Sequence, residues 1–240
     1  MANPLHQFEI KTIIPINIGN LDASFTNSSL FMLVAVGLIT LFLVLSMKPH
    51  SLVPGRVQSI AELSYEFIAN MIRSNVGREG RQYFPFIFCR FTLFLVGNML
   101  GMVPYGFTFT SHLAVALSLA LVVFIGTTAI GFIKHGTKFF GFFLPHGTPI
   151  YLAPLLIPLE LMSYCFRPIS LSLRLFANMT AGHTLLKVFA GFVVSLGFLG
   201  FIPLVAVVGI TALEFLIAFL QAYVYTVLAC IYLNDALHMH

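Results

Sequence analysis

The stretch "SLSLRLFANMTAGH", Ser170 to His183, sets an arginine in the middle of an apolar run. "APLLIPLELMSYCF" (153–166) precedes it and "VFAGFVVSLGFLGF" (188–201) follows soon after. The guanidinium of Arg174 cannot shed its charge in a protein. Placing one at mid-bilayer costs about 2.5–3.5 kcal/mol on insertion scales, and more by other estimates. A chain that accepts this cost makes use of the charge.

Outward from that stretch the chain stays apolar. Of its 240 residues, 59% are hydrophobic and 8% charged, and the mean hydropathy is +0.98. Soluble domains carry about 25% charged residues, so an integral membrane protein is predicted, built as a single membrane domain over residues 1–240. The net charge of +4 is not gathered into a basic stripe and does not point to nucleic acid. Cys89, Cys165 and Cys230 lie in apolar runs without a CxxC pair, and they read as small buried hydrophobes. The N-terminus lacks a basic region followed by an apolar one, so neither a signal peptide nor a transit peptide is expected.

Residues 28–47 carry no charge and are long enough to span about 30 Å of hydrocarbon. Residues 1–27 read as an outer tail. In residues 57–74, Ile60, Leu63, Phe67 and Met71 recur at helical spacing, with Glu62, Glu66 and Arg73 on a polar side. That pattern predicts an amphipathic helix at the membrane surface. A helical hairpin is expected over 83–133 and a long tilted hairpin over 150–233, turning at "SLGFLGFIP" (195–203). The segments at 48–82 and 134–149 hold seven Lys/Arg, whereas those at 104–112 and 195–203 hold none. The positive-inside rule then gives five membrane helices, with the N-terminus outside and the C-terminus inside. The expected fold class is an all-α integral membrane protein: five membrane helices plus one amphipathic surface helix, the last two membrane helices forming the long tilted hairpin.

On a helix, Glu160, Arg167 and Arg174 are seven apart and drift by only about 20° per step. Asn178 lies one turn beyond Arg174, completing a polar stripe that should face protein or water rather than lipid. Glu160 is about 21 Å of helix rise from Arg174, so no acid in this helix can pair with that arginine. Its partner has to come from another helix or another chain. His183 points to the opposite side, with Lys187 one turn further on. In the last segment Glu214 and Gln221 share a face, with Tyr225 close to it. A hairpin turning near Gly197–Gly200 would bring Glu214 toward His183, and an imidazole beside a carboxylate can pass a proton near neutral pH.

Blander readings stand beside these. Arg167, followed by Pro168, marks a kink, snorkels to the inner interface, or serves the site. Arg90 and Lys187 read as snorkelling or structural. Asn98 can bridge helices, and His112 alone in an outer loop is unremarkable. The sequence has no HExxH, GxSxG or GxxxxGK[ST], and its histidines are too scattered for a haem or metal cage. Catalysis by this chain alone is not expected, and no cofactor or metal is. A self-contained secondary transporter or ion channel is the alternative, although no internal repeat is visible. A membrane scaffold would leave Arg174, Glu214 and His183 unexplained.

"RPISLSLRLFANMTAGH" (167–183) and "EFLIAFLQAYVYTVLACIYLNDALH" (214–238) resemble subunit a of rotary F-type ATP synthases. The likeness extends to "PLHQFEI" (4–10) and "NMLGMVPYGFTFTSH" (98–112). The form is similar to the branch shared by mitochondria and alpha-proteobacteria. In other bacterial branches an acid stands at the position of His183 and a histidine at that of Glu214. The resemblance implies a proton-conducting stator subunit of the H+-transporting two-sector ATPase. Its partners would be the c-ring subunits, each with a membrane carboxylate, the peripheral-stalk b subunits and the rest of the F1Fo complex, all within membrane lipid. It implies two offset half-channels with Arg174 as the essential arginine between them. Glu214, His183, Asn178 and Gln221 would line the outer half-channel, His112 and Asn98 would stand near its mouth, and Glu160 would sit in the inner one. The membrane would be a bacterial cytoplasmic membrane or a mitochondrial inner membrane.

Overall fold

The computed structural model describes residues 8–15, 17–18, 21–22, 24–48, 54–103, 106–136, 139, 141 and 150–238. Six helices follow in order: α1 (Asn27–Met47), α2 (Arg56–Asn75), α3 (Phe84–Gly101), α4 (Leu113–His135), α5 (Ala153–Ser195) and α6 (Phe201–Leu237). Among the described residues, Asn27–Met47, Glu79–Gly101, Leu113–His135 and Gly197–Leu237 are long and apolar enough to cross a membrane. The expected count was five. The 43-residue α5 is not among the four, because Glu160, Arg167, Arg174, Asn178, His183 and Lys187 are spread along it. The all-α expectation also missed a small feature of the N-terminal tail. There β1 (Thr12–Ile14) pairs antiparallel with β4 (Phe25–Thr26), and β2 (Asn17–Ile18) with β3 (Leu21–Asp22). Thr and Ile on either side of a turn favour such a hairpin, where no long apolar run competes.

α1 is apolar on every side, so periodicity alone cannot say which face packs. Phe31, Met32 and Ala35 pack against Phe107 and Phe109, and Ser28 and Ser46 are buried as well; Leu33, Val34 and Leu41 stay open to the surroundings. Thr26 caps its first turn by accepting a hydrogen bond from the Ser29 amide.

The core is organised around α6. Ala218, Ala222, Tyr225, Ala229 and Leu233 recur at helical spacing on its buried side. Their partners are Phe91 and Phe94 of α3, Ala116, Ala120 and Val123 of α4, and Leu171, Leu175 and Met179 of α5. The alanines bring backbones close, which is how helices gain packing where lipid is as apolar as the interface. The apolar stripe read on α2 divides along the helix. Ile60 and Leu63 are exposed, whereas the Phe67 ring meets Phe91, Phe219 and Tyr223, and Ile68, Met71 and Ile72 are buried. The buried positions of α2 lie in its C-terminal half, and the exposed Ile60 and Leu63 suit an apolar environment outside the chain. The cysteines also depart from expectation: Cys230 is buried, whereas Cys89 and Cys165 are exposed. A helix surface turned to lipid can carry an apolar thiol as readily as a core can.

Arg90 is 6% exposed in the middle of α3. Its Nη2 donates to the Leu119 carbonyl of α4 and, over 3.2 Å, to the Tyr225 hydroxyl of α6. Its guanidinium also lies 5.4 Å from the Phe94 ring centroid and 5.6 Å from that of Tyr225, within cation–π reach. One charged side chain thus ties three helices, a structural role rather than snorkelling. Arg90→Ala would leave both acceptors unmet, and it should cost on the order of 2–3 kcal/mol. Thermal unfolding of the full chain in detergent, followed by circular dichroism, should show a lowered midpoint. An unchanged midpoint would remove Arg90 from this role.

Candidate functional site

α5 ends at Ser195, the short helical turn Gly197–Gly200 reverses the chain, and α6 begins at Phe201. Gly197 has φ 56, a left-handed conformation that a side chain disfavours. The returning helix is held by three polar contacts that step down α5 as they climb α6. Nearest the turn, His183 Nδ1 is 3.8 Å from Glu214 Oε1. Next, Asn178 Nδ2 donates to Gln221 Oε1 over 3.1 Å. Furthest away, Arg167 Nη1 pairs with Asp235 Oδ2 at 3.0 Å, and its guanidinium lies over the Tyr164 and Tyr232 rings. The sequence left Arg167 open between a kink, snorkelling and the site; its ion pair with Asp235 and its aromatic bracket were not foreseen.

Glu214 is 2% exposed, and neither of its carboxylate oxygens has a hydrogen-bond partner among the described residues. Buried acids are normally bonded, so this one is poised rather than satisfied. Gly182 makes room for it. A Cβ at that position would collide with the Glu214 carboxylate, so a bare backbone lets the acid lie against α5 beside His183. On its other side the His183 ring meets the Thr108 hydroxyl, with Nε2 and Oγ1 3.1 Å apart.

A cavity of about 810 Å³ opens from this histidine. Thr108, His183 and Lys187 line it, Val207 and Thr211 of α6 close one side, and Phe8, Glu9 and Lys11 of the N-terminal tail form an outer wall. The tail is held there by Asn27, whose side chain donates to the Glu9 carbonyl and accepts from the Lys11 amide. Neither Asn98 nor His112 lines this cavity. Asn98 is fully buried, accepting from Thr110 and donating across to the Ala218 carbonyl, and so clasps α3 to α6. His112 stacks on Phe107 with an Nε2 that has no partner among the described residues. Burial holds this imidazole below its ordinary pKa, so it is neutral at physiological pH.

Beyond Asn178 and Gln221 comes Arg174. It is exposed on the open side of the hairpin and makes no hydrogen bond or ion pair among the described residues. The exposed positions one turn either way are Ser170, Ala177 and Asn178. Arg174 also rims a second cavity, of about 330 Å³, with Ser163, Arg167, Ser170, Leu228 and Tyr232. Glu160 does not line this cavity. The two cavities therefore lie toward opposite ends of one hairpin, with Arg174 between the polar line descending from His183 and the second opening.

Sequence reasoning had no hold on Thr108, Gly182 or Asp235 as members of this site. A threonine in an uncharged loop and a glycine before a histidine carry no periodic signal. Asp235 stood near the chain's end, where an acid usually meets water.

Residues 29–234 match the ATP synthase A chain family. The chain is similar over its whole length to proteins named ATP synthase subunit a from alpha-proteobacteria. It is 58% identical to that of Paramagnetospirillum magneticum over 247 residues, covering 100% of both. With that of Rhodospirillum rubrum it shares 57% over 241 residues, again covering 100% of both. With that of Parvibaculum lavamentivorans it shares 54% over 244 residues, covering 99% of this chain and 94% of the relative. With its polar hairpin and its sequence matched from end to end, the chain belongs to the ATP synthase A chain family.

Proposed function

We propose that this chain is the membrane stator subunit of a rotary ATP synthase and conducts protons along two offset paths separated by Arg174. The observation that carries the reading is that arginine: exposed, with Ser170, Ala177 and Asn178 one turn away, and without an ion-pair partner among the described residues. A cation held in a membrane needs a counter-charge. A carboxylate presented by each passing subunit of a rotor ring supplies one in turn. α5 crosses the membrane as the partner of α6 and brings the count to five helices, with the N-terminus outside and the C-terminus inside. The hairpin faces the c-ring, and the peripheral-stalk b subunits and the rest of the complex complete the assembly.

Protons enter by the 810 Å³ cavity and meet His183. Glu214, a small side-chain movement from hydrogen-bond distance, takes the proton inward past Asn178 and Gln221 to the rotor carboxylate. Asn98 and His112 shape the wall behind the entry. The second path leaves from the opening beside Arg174, with Glu160 further along it. Arg174 lowers the pKa of an approaching rotor acid and so favours release of its proton. The same charge repels protons that would leak straight between the paths. Because the guanidinium keeps its own proton, it cannot become a relay. The driving force is about 2.3 kcal/mol per charge per 100 mV of membrane potential. Nucleotide chemistry belongs to other subunits.

Arg174→Ala should abolish proton-driven ATP synthesis in membrane vesicles while the complex still assembles. Synthesis surviving in that variant sinks the central claim. A cysteine at position 178 should form a disulfide with one placed beside the rotor carboxylate. If both thiols react with a maleimide yet never crosslink, the stripe faces elsewhere. Gly182→Ala should push the Glu214 carboxylate from its seat and cut proton conduction several-fold in an assembled complex. Unchanged flux would take the seated acid out of the path.

A further inference from the structure

Away from the hairpin, α2 and the start of α3 enclose a concave pocket of about 730 Å³. Its floor is apolar, with Ile72, Phe84 and Tyr65, the last two rings 4.5 Å apart between centroids. Its rim is cationic: Arg73, Arg78 and Arg81. No acid lines it, and no ion pair or side-chain hydrogen bond holds any of the three guanidinium groups among the described residues. The nearby Glu79 does not neutralise them, because it is paired with Lys134 of α4.

The rim is built rather than incidental. Gly77, at φ 81, turns the chain out of α2, a backbone conformation costly for other residues. At Gly80 a Cβ would press into Val76 and Ile72, so the turn lies directly on the helix. Arg78 and Arg81 are thus mounted on a packed turn, opposite Arg73 on the last turn of α2.

Its depth in the fold says what it meets. α3 enters its apolar run at Phe84, directly beneath the rim. On another side, α2 exposes Ile60 and Leu63, the pattern of a helix lying in the interface plane. The arginines therefore stand at headgroup level, where Tyr is also at home. A free anion would use the rim and leave the apolar floor wet, whereas a phospholipid uses both. Guanidinium forks bind phosphate oxygens bidentately. We propose that this pocket binds the phosphodiester headgroup of an anionic phospholipid, independently of the proton path.

The chain has no tryptophan, so Tyr65→Trp gives the full chain in nanodiscs a single reporter in the pocket. Brominated phosphatidylglycerol should quench it at a mole fraction about ten-fold lower than brominated phosphatidylcholine does. Arg78→Gln with Arg81→Gln should erase that preference with circular dichroism unchanged. Arg56→Gln, on the same helix but outside the pocket, should retain it. Millimolar inorganic phosphate should not relieve the quenching. Equal quenching by the two lipids, which would leave the pocket to an acidic segment of a partner protein, overturns the proposal. So does a preference that survives loss of Arg78 and Arg81 or vanishes with Arg56. Full relief by inorganic phosphate would make the ligand a soluble anion and also overturn it.

Discussion

A charge held in hydrocarbon must be met by an opposite charge, by water or by another protein surface, and the arrangement of α5 against α6 follows from how each polar group on α5 meets that demand. Arg167 takes Asp235, Asn178 takes Gln221 and His183 faces Glu214. These contacts set the register of the hairpin, because a slip of one residue would turn all of them away from their partners. Arg174 takes no such partner among the described residues, and it lies on the exposed side of α5. Two carboxylates are treated differently by the same bundle. Asp235 is paired, whereas Glu214 is buried with neither oxygen bonded among the described residues. The unpaired one lies behind His183, which lines the larger cavity.

The helices were legible because hydrocarbon imposes long apolar runs. α1 was expected over 28–47 and is Asn27–Met47; α2 was expected over 57–74 and is Arg56–Asn75. The hairpin turn was legible through its glycines. The faces were harder to read. On α2 the periodic stripe divides: Ile60 and Leu63 are exposed, whereas Phe67 meets Phe91, Phe219 and Tyr223 and Met71 is buried, since periodicity reports apolarity and not what covers it. At the site, spacing could bring Glu214 toward His183 because both lie about equally far from the turn. It could not find Thr108, which reaches His183 from a loop seventy-five positions earlier in the chain. Nor could it find Gly182, whose contribution is the absence of a side chain.

Cations on this chain differ by their surroundings more than by their chemistry. Arg90 is enclosed and binds three helices together. Arg167 is bracketed by aromatic rings and an acid. Arg73, Arg78 and Arg81 stand around an apolar hollow. Arg174 sits on an exposed helix face at the rim of the smaller cavity, with Ser170, Ala177 and Asn178 one turn away.

Those small neighbours have a mechanical consequence. Helices that interdigitate large side chains lock into register, each knob seated in a hole, and moving one past the other means lifting every knob. Ser170, Ala177 and Ala181 offer no knobs around Arg174, and Leu173 is the large side chain exposed beside it. A rotor surface passing this strip, as proposed, would feel the charge as its strong landmark and have few knobs to lift.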